Sequence, residues 1–201
     1  MPTRRLILTS GAALGATLAL PALAQDPARP NPMPDVLREA LERDPTSPVL
    51  GNPNGNITLV EFFDYNCPHC RTMVGTVQQI VSSDPELRVV YREWPVFGPG
   101  SEFAAQASLA SLRQGKYWQF HQAMLTMRDR ADETSVMRAA RRVGLDEARL
   151  RADMESDNVI DHLSNSAELA DHMGLVGTPT FMCGDEAVFG EMSLKELREL
   201  V

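Results

Sequence analysis

The chain has 201 residues, 43% of them hydrophobic and 23% charged, with a formal net charge of −8. That length suits one domain with a sizeable core. The acidic balance excludes a nucleic-acid surface, which needs clustered Lys and Arg, and three cysteines are too few for a disulfide framework.

In chain order, Arg4-Arg5 comes first, then an uncharged apolar stretch from Leu6 to Leu20, then Pro21-Ala22-Leu23-Ala24. A basic start, an apolar run and an A-x-A site read as a signal peptide over 1–24. Thr3 to Leu8 also fits a twin-arginine export signal. The alternative, an uncleaved anchor, suits the stretch poorly, because it is rich in Gly, Ala and Thr and broken by Pro21. Cleavage after Ala24 removes Arg4 and Arg5 and leaves 17 basic against 27 acidic residues.

Residues 25–50 form an N-terminal extension. Prolines 27, 30, 32 and 34 make its start extended. Asp35 is placed to cap a short helix with Val36, Leu37, Ala40 and Leu41 on its apolar face, ending near Asp44-Pro45. About ten residues do not make a stable helix alone, so this one must pack on its own domain or on a partner. Pro48 to Asn56 reads as a turn-rich connector, with a tight turn at Asn54-Gly55.

The main domain spans 51–201. Ile57 to Phe63 is a central strand, apolar on both faces except at Glu61. Arg71 to Ser82 has helical spacing, and Leu87 to Trp94 is a second strand. Strand, helix and strand in succession make a parallel crossover unit. From Glu102 to Met173 the period is helical throughout, an insert over about 99–174. Strands return at Thr180–Cys183 and Ala187–Phe189. Ser193 caps a last helix whose buried stripe is Leu194, Leu197, Leu200 and Val201.

Between the first strand and its helix stands Cys67-Pro68-His69-Cys70. This spacing sets Cys67 at a helix N-terminus, where free amides and the helix dipole favour a thiolate. Pro68 suits a first turn that needs no amide hydrogen. His69 can donate a hydrogen bond or a charge, and Cys70 is the resolving thiol. Such motifs reach thiol pKa values of about 3.5–7.5. A zinc site needs four ligands, and His121, His162, His172 and Cys183 show no ligand spacing. Haem attachment needs His after the second Cys, and position 71 is Arg.

Glu61, buried six residues before Cys67, is either a proton acceptor for Cys70 or a charge at a strand edge. Thr178-Pro179 is either a cis bond that turns the Thr178 backbone toward the motif, to pair with an extended client, or an ordinary trans start to a strand. Cys183 reads as a small buried hydrophobe, with a second redox thiol as the alternative. Tyr117, Trp118, Phe120 and His121 read as core of the insert, with a substrate-binding role as the alternative.

Three stretches carry a resemblance to the DsbA family of thiol-disulfide oxidoreductases: Val60 to Cys70, Gln114 to His121 and Gly177 to Phe181. The resemblance covers about residues 50–201. It implies an α/β thioredoxin fold with a helical insertion domain, with nucleophile Cys67, resolving Cys70, cis Pro179 and buried acid Glu61. Leu50-Gly-Asn-Pro53 onward is similar to ScsC-type and BdbD-type relatives. Cys-Pro-His-Cys is the motif of strongly oxidising members, whereas Thr before the proline is commoner in isomerases and reductases. The expected activity is therefore a monomeric periplasmic oxidase that introduces disulfides into reduced or misfolded clients. A membrane redox partner would serve the dithiol, and no cofactor or metal is needed. The alternatives are a periplasmic isomerase or reductase and a copper-binding protein that uses the dithiol.

Overall fold

The structure, a computed structural model, describes residues 33–201. The signal-peptide reading and prolines 27, 30 and 32 lie outside the described residues. Helix α1 is Asp35–Glu42 and strand β1 is Val49–Gly51; β2, Ile57–Phe63, leads into α2, Pro68–Ser83, and β3 is Leu87–Glu93. Helices α3 (Pro99–Ala110), α4 (Tyr117–Leu125), α5 (Glu133–Arg142), α6 (Glu147–Met154) and α7 (Asp157–His172) follow, with a 3-10 turn at Ser111–Gln114. Strands β4 (Thr180–Cys183) and β5 (Glu186–Phe189) and helix α8 (Leu194–Leu200) complete the fold.

The sheet order is β1-β3-β2-β4-β5. β2 and β3 run parallel, with Ile57 beside Leu87 and Phe63 beside Glu93. The other three pairings are antiparallel. β2 is central and covered on both faces, which is why nearly all its residues are apolar. Its side chains alternate. Leu59 and Phe63 join the core beneath α2 and the helical insert, while Val60 and Phe62 join a smaller core with Leu41 of α1 and Ala170 of α7. The same alternation places Glu61 on the α2 face.

α1 packs on its own domain. Arg92 of β3 is wholly buried on that face. It donates to the Leu41 and Ala40 carbonyls and, at 2.7 Å, to Asp44 Oδ2. At the other end Arg38 meets Asp185 at 2.5 Å. These ties select the last turn of α1 for burial, so Leu41 is buried and Val36 is 79% exposed. The apolar face expected over Val36, Leu37, Ala40 and Leu41 thus narrows to Leu41, with Leu37 half-buried. Asp35 is not the cap either. Pro34 holds that position, and Asp35 is the first helical residue, with no side-chain capping bond.

The connector before β2 holds a strand that local pattern does not reveal. β1 has only three residues, and it exists because it pairs with β3, Leu50 opposite Val89. It ends at Gly51, with φ 83°, where a Cβ would sit 2.5 Å from the Leu87 carbonyl oxygen. The tight turn lies one position earlier than expected, closed by Gly55 N–H to the Asn52 carbonyl. α2 begins at Pro68, three residues before the helical apolar spacing does, because a proline at N1 gives no periodicity signal. Ser193 caps α8 as expected, in a capping box with Glu196, and of the expected stripe Leu197 is buried while Leu194, Leu200 and Val201 are half-buried.

Candidate active site

Cys67 is the N-cap of α2, with φ −72° and ψ 118°, and Pro68 follows at N1. An extended N-cap leaves the first-turn amides unpaired and pointing past its side chain. The sulfur sits among them. Both Cys67 and Cys70 are buried, free thiols. Cys67 is drawn down to about 6 by hydrogen bonding from Cys70, aided by Thr178 and the amides of Cys70 and His69, against the opposing effect of burial. Cys70 is pushed far up, chiefly by burial and by its bond to Cys67. The two thiols thus differ strongly in acidity, and Cys67 is the better thiolate and the better leaving group.

The Cys67 thiol donates to the Thr178 carbonyl at 3.1 Å. The Thr178–Pro179 peptide bond is cis. Thr178 is buried, and its hydroxyl has no partner while Cys67 is a thiol. Glu61 is 4% exposed, opposite Tyr91 on β3 and Phe181 on β4. Burial, and then the nearby Cys67 charge, raise its carboxyl to about 8. A protonated acid at neutral pH therefore stands beneath the dithiol. It is not at a strand edge. His69 is exposed, and its Nδ1 lies 2.6 Å from Glu191 Oε1.

Several residues that hold the site carry no local sequence signal. The Asp64 carboxylate accepts from Asn66 N–H at 2.6 Å, Val96 N–H at 2.7 Å, Phe97 N–H at 3.0 Å and the Ser101 hydroxyl at 2.7 Å. Asn66 makes paired bonds with the Ala131 backbone, at 2.7 and 3.0 Å. Arg71 donates to the carbonyls of Tyr65, Met127 and Asp129. Together these lash the motif to the helical insert. The aromatic cluster is core: Phe120 and His121 are buried, and burial lowers His121 to about 3, so its ring is neutral. Cys183 is half-buried in β4, and burial raises its thiol. Among the described residues no group of three or more His, Cys, Asp or Glu is placed to hold a metal ion.

A DSBA-like thioredoxin domain matches residues 58–201. The chain belongs to that family of thiol-disulfide oxidoreductases. Among solved structures it is similar to a thioredoxin-like oxidoreductase from Silicibacter pomeroyi, at 50% identity over 81% of this chain and 94% of that one, with a TM-score of 0.79. It is also similar to the thiol-disulfide exchange protein alpha-DsbA2 of Wolbachia pipientis, at 28% identity over 82% and 90% of the two chains (TM-score 0.77). The catalytic domain of Proteus mirabilis ScsC is 26% identical over 83% and 93% (TM-score 0.76). The family's thioredoxin fold with a helical insertion is the architecture described above. The chain spans about a quarter of the curated relatives it matches. One is the Na(+)/H(+) antiporter NhaA 3 of Salinispora tropica, 27% identical over 76% of this chain and 24% of that protein. No helix of the described residues is long and apolar enough to cross a membrane.

Proposed function

We propose that this chain is an exported oxidase of protein dithiols. The observation that carries the reading is the contrast between Cys67, lowered to about 6, and Cys70, raised by burial. A stabilised Cys67 thiolate favours the reduced pair, and so makes the disulfide a strong acceptor of electrons.

The reaction starts from the Cys67–Cys70 disulfide. A client thiolate attacks Cys67 Sγ, a client–Cys67 bond forms and the Cys67–Cys70 bond breaks. Cys70 leaves with the electron pair and takes a proton from Glu61, whose raised pKa keeps it an acid at neutral pH. A second client thiolate attacks the client sulfur. Cys67 leaves as a thiolate, and the client departs with a disulfide. The two electrons remain on the Cys67–Cys70 pair, and a membrane redox partner removes them. Neither a metal nor an organic cofactor takes part. Pro68 starts the helix, and Thr178 and Pro179 border the sulfur where an extended client backbone would lie. The leader read over 1–24 supports the periplasm as the site of action, and the protein is proposed to act as a monomer.

The test is oxidation of a reduced, unfolded client by the stoichiometric disulfide form. Client disulfides should form with wild type and not with Cys67→Ser. A wild type that leaves the client reduced overturns the reading. A second reading, isomerase or reductase, is favoured by Thr178 and by the likeness to the ScsC catalytic domain. Alkylation trapping in cells separates the two, since an oxidase holds the pair mostly oxidised. The copper-binding reading rests on the two thiols, with which, among the described residues, no further His, Cys, Asp or Glu is grouped to hold a metal ion.

A further inference from the structure

Glu191 lies in the loop between β5 and α8, 122 residues from His69 in sequence, yet its carboxylate is 2.6 Å from the imidazole. The loop is pinned on both sides of it. Gly190 N–H donates to the Pro179 carbonyl at 2.9 Å. Met192 N–H points at Met73 Sδ on α2, at 3.3 Å. Gly190 has φ 97°, which lets the chain turn sharply between these anchors. Ser193 then starts α8 with its capping box. The carboxylate is thus presented to the first turn of α2 by two fixed neighbours, one of them tied to Pro179, the residue after the Thr178 that meets the Cys67 thiol.

An ion pair this exposed adds little to stability. Its consequence is for His69. The imidazole bonds Glu191, whereas the groups that lower the Cys67 thiol are Cys70, Thr178 and the backbone amides of Cys70 and His69. We infer that Glu191 is a positioning residue of the redox centre: it turns the His69 ring outward, neutralises its charge, and so withholds that charge from Cys67. The inference rests on the thiol-exchange reading. On this inference the Cys67–Cys70 disulfide is less oxidising with Glu191 than it is without that carboxylate.

The charged groups that face His69 are Glu191 and Cys67, and both favour the imidazolium. Cys67 in turn faces Glu61, which is neutral until about pH 8. Removing the Glu191 charge therefore does two things. His69 loses a partner and titrates lower. Whatever positive charge His69 keeps is no longer paired with a carboxylate, and stabilises the thiolate.

The test compares wild type, Glu191→Gln and Glu191→Asp in three readouts: the His69 titration by NMR, the Cys67 titration by thiolate absorbance, and the equilibrium with glutathione. In Glu191→Gln the His69 midpoint should fall. The Cys67 pKa should drop by ~0.5, water screening keeping the shift small, with an approximately threefold shift toward the reduced protein at equilibrium. Glu191→Asp should fall between the two. An unchanged His69 titration, or a Cys67 pKa that stays put or rises, overturns the inference. Client oxidation by wild type, run alongside, keeps the outcomes apart. Its failure sinks the oxidase reading, whereas active wild type with an inert Glu191→Gln sinks only the role of Glu191.

Discussion

The Cys67 thiol donates to the backbone carbonyl of Thr178 at 3.1 Å, across 111 residues of sequence. That contact brings the N-terminus of α2 against the Thr178–Pro179 edge, so the reactive sulfur and the polypeptide that borders it are in direct contact. A carbonyl can accept from a thiol but not from a thiolate. Ionisation of Cys67 therefore breaks this bond and leaves the sulfur to the Cys70 thiol and its amide donors.

Cys67 should titrate with a midpoint near pH 6, read by thiolate absorbance or by the rate of alkylation. Cys70 should stay silent to high pH. The folded pKa lies below the ordinary value of about 8.5. The Cys67 thiolate therefore adds stability to the reduced form as pH rises from about 6, adds all of it above about 8.5, and loses it again as pH falls through 6. Unfolding of the reduced protein at pH 5 and pH 8 in a Glu61→Gln background, where that buried carboxyl no longer titrates with the opposite sign, checks it.

Glu61→Gln should slow mixed-disulfide release by about 10²-fold, the low end of what a positioned acid contributes. The same change should stabilise the fold at neutral and alkaline pH. The folded carboxyl, at about 8, holds a proton that the unfolded chain releases near 4.3. Wild type thus loses stability as pH rises between those values. Glu61→Gln should remove that loss and raise the thermal midpoint at pH 8 on the order of 10 °C. A variant that releases client at the wild-type rate contradicts the proton role.

Thr178→Val should raise the Cys67 pKa by about 0.5, because Thr178 is one of the groups that lower it. It should also stabilise the thiol form by about 1 kcal/mol, since the buried Thr178 hydroxyl lacks a partner there. Paired measurement of thiol titration and denaturant unfolding decides both.

Asp44→Ala should cost about 3 kcal/mol and leave the Cys67 titration unchanged. It strands the wholly buried Arg92, which keeps only the carbonyls of α1. Burial pushes the Asp44 carboxyl up, but bonds from Thr46 and Arg92 outweigh it and hold it below its ordinary value. The contribution is therefore present above the unfolded pKa of about 3.9 and lost as pH falls through the lowered one. Urea unfolding of both proteins at pH 7 and pH 3 should show the gap closing in acid.

Period and punctuation carried the central elements. Ile57–Phe63 is a run apolar enough to read directly, Leu87–Glu93 shows itself by Val89, Val90 and Tyr91, and Pro68 marks the start of α2 even though its spacing does not. The dithiol and Glu61 were legible because a buried charge and a paired thiol are chemically conspicuous. Val49–Gly51 was not, because three residues become a strand only through their partner β3. Glu191, Asp64 and Asn66 were invisible for a related reason. Glu and Asn in loops mean nothing until the chain brings His69 or Ala131 to them. The buried His162 and Glu93, 2.8 Å apart, are joined the same way from α7 and β3.

The most direct single measurement is the reduction potential of the Cys67–Cys70 pair by equilibration with glutathione. An oxidase requires a value more oxidising than about −180 mV, on the side of the strongly oxidising dithiols. A value more reducing than about −180 mV contradicts it, and leaves the same dithiol to isomerase or reductase work.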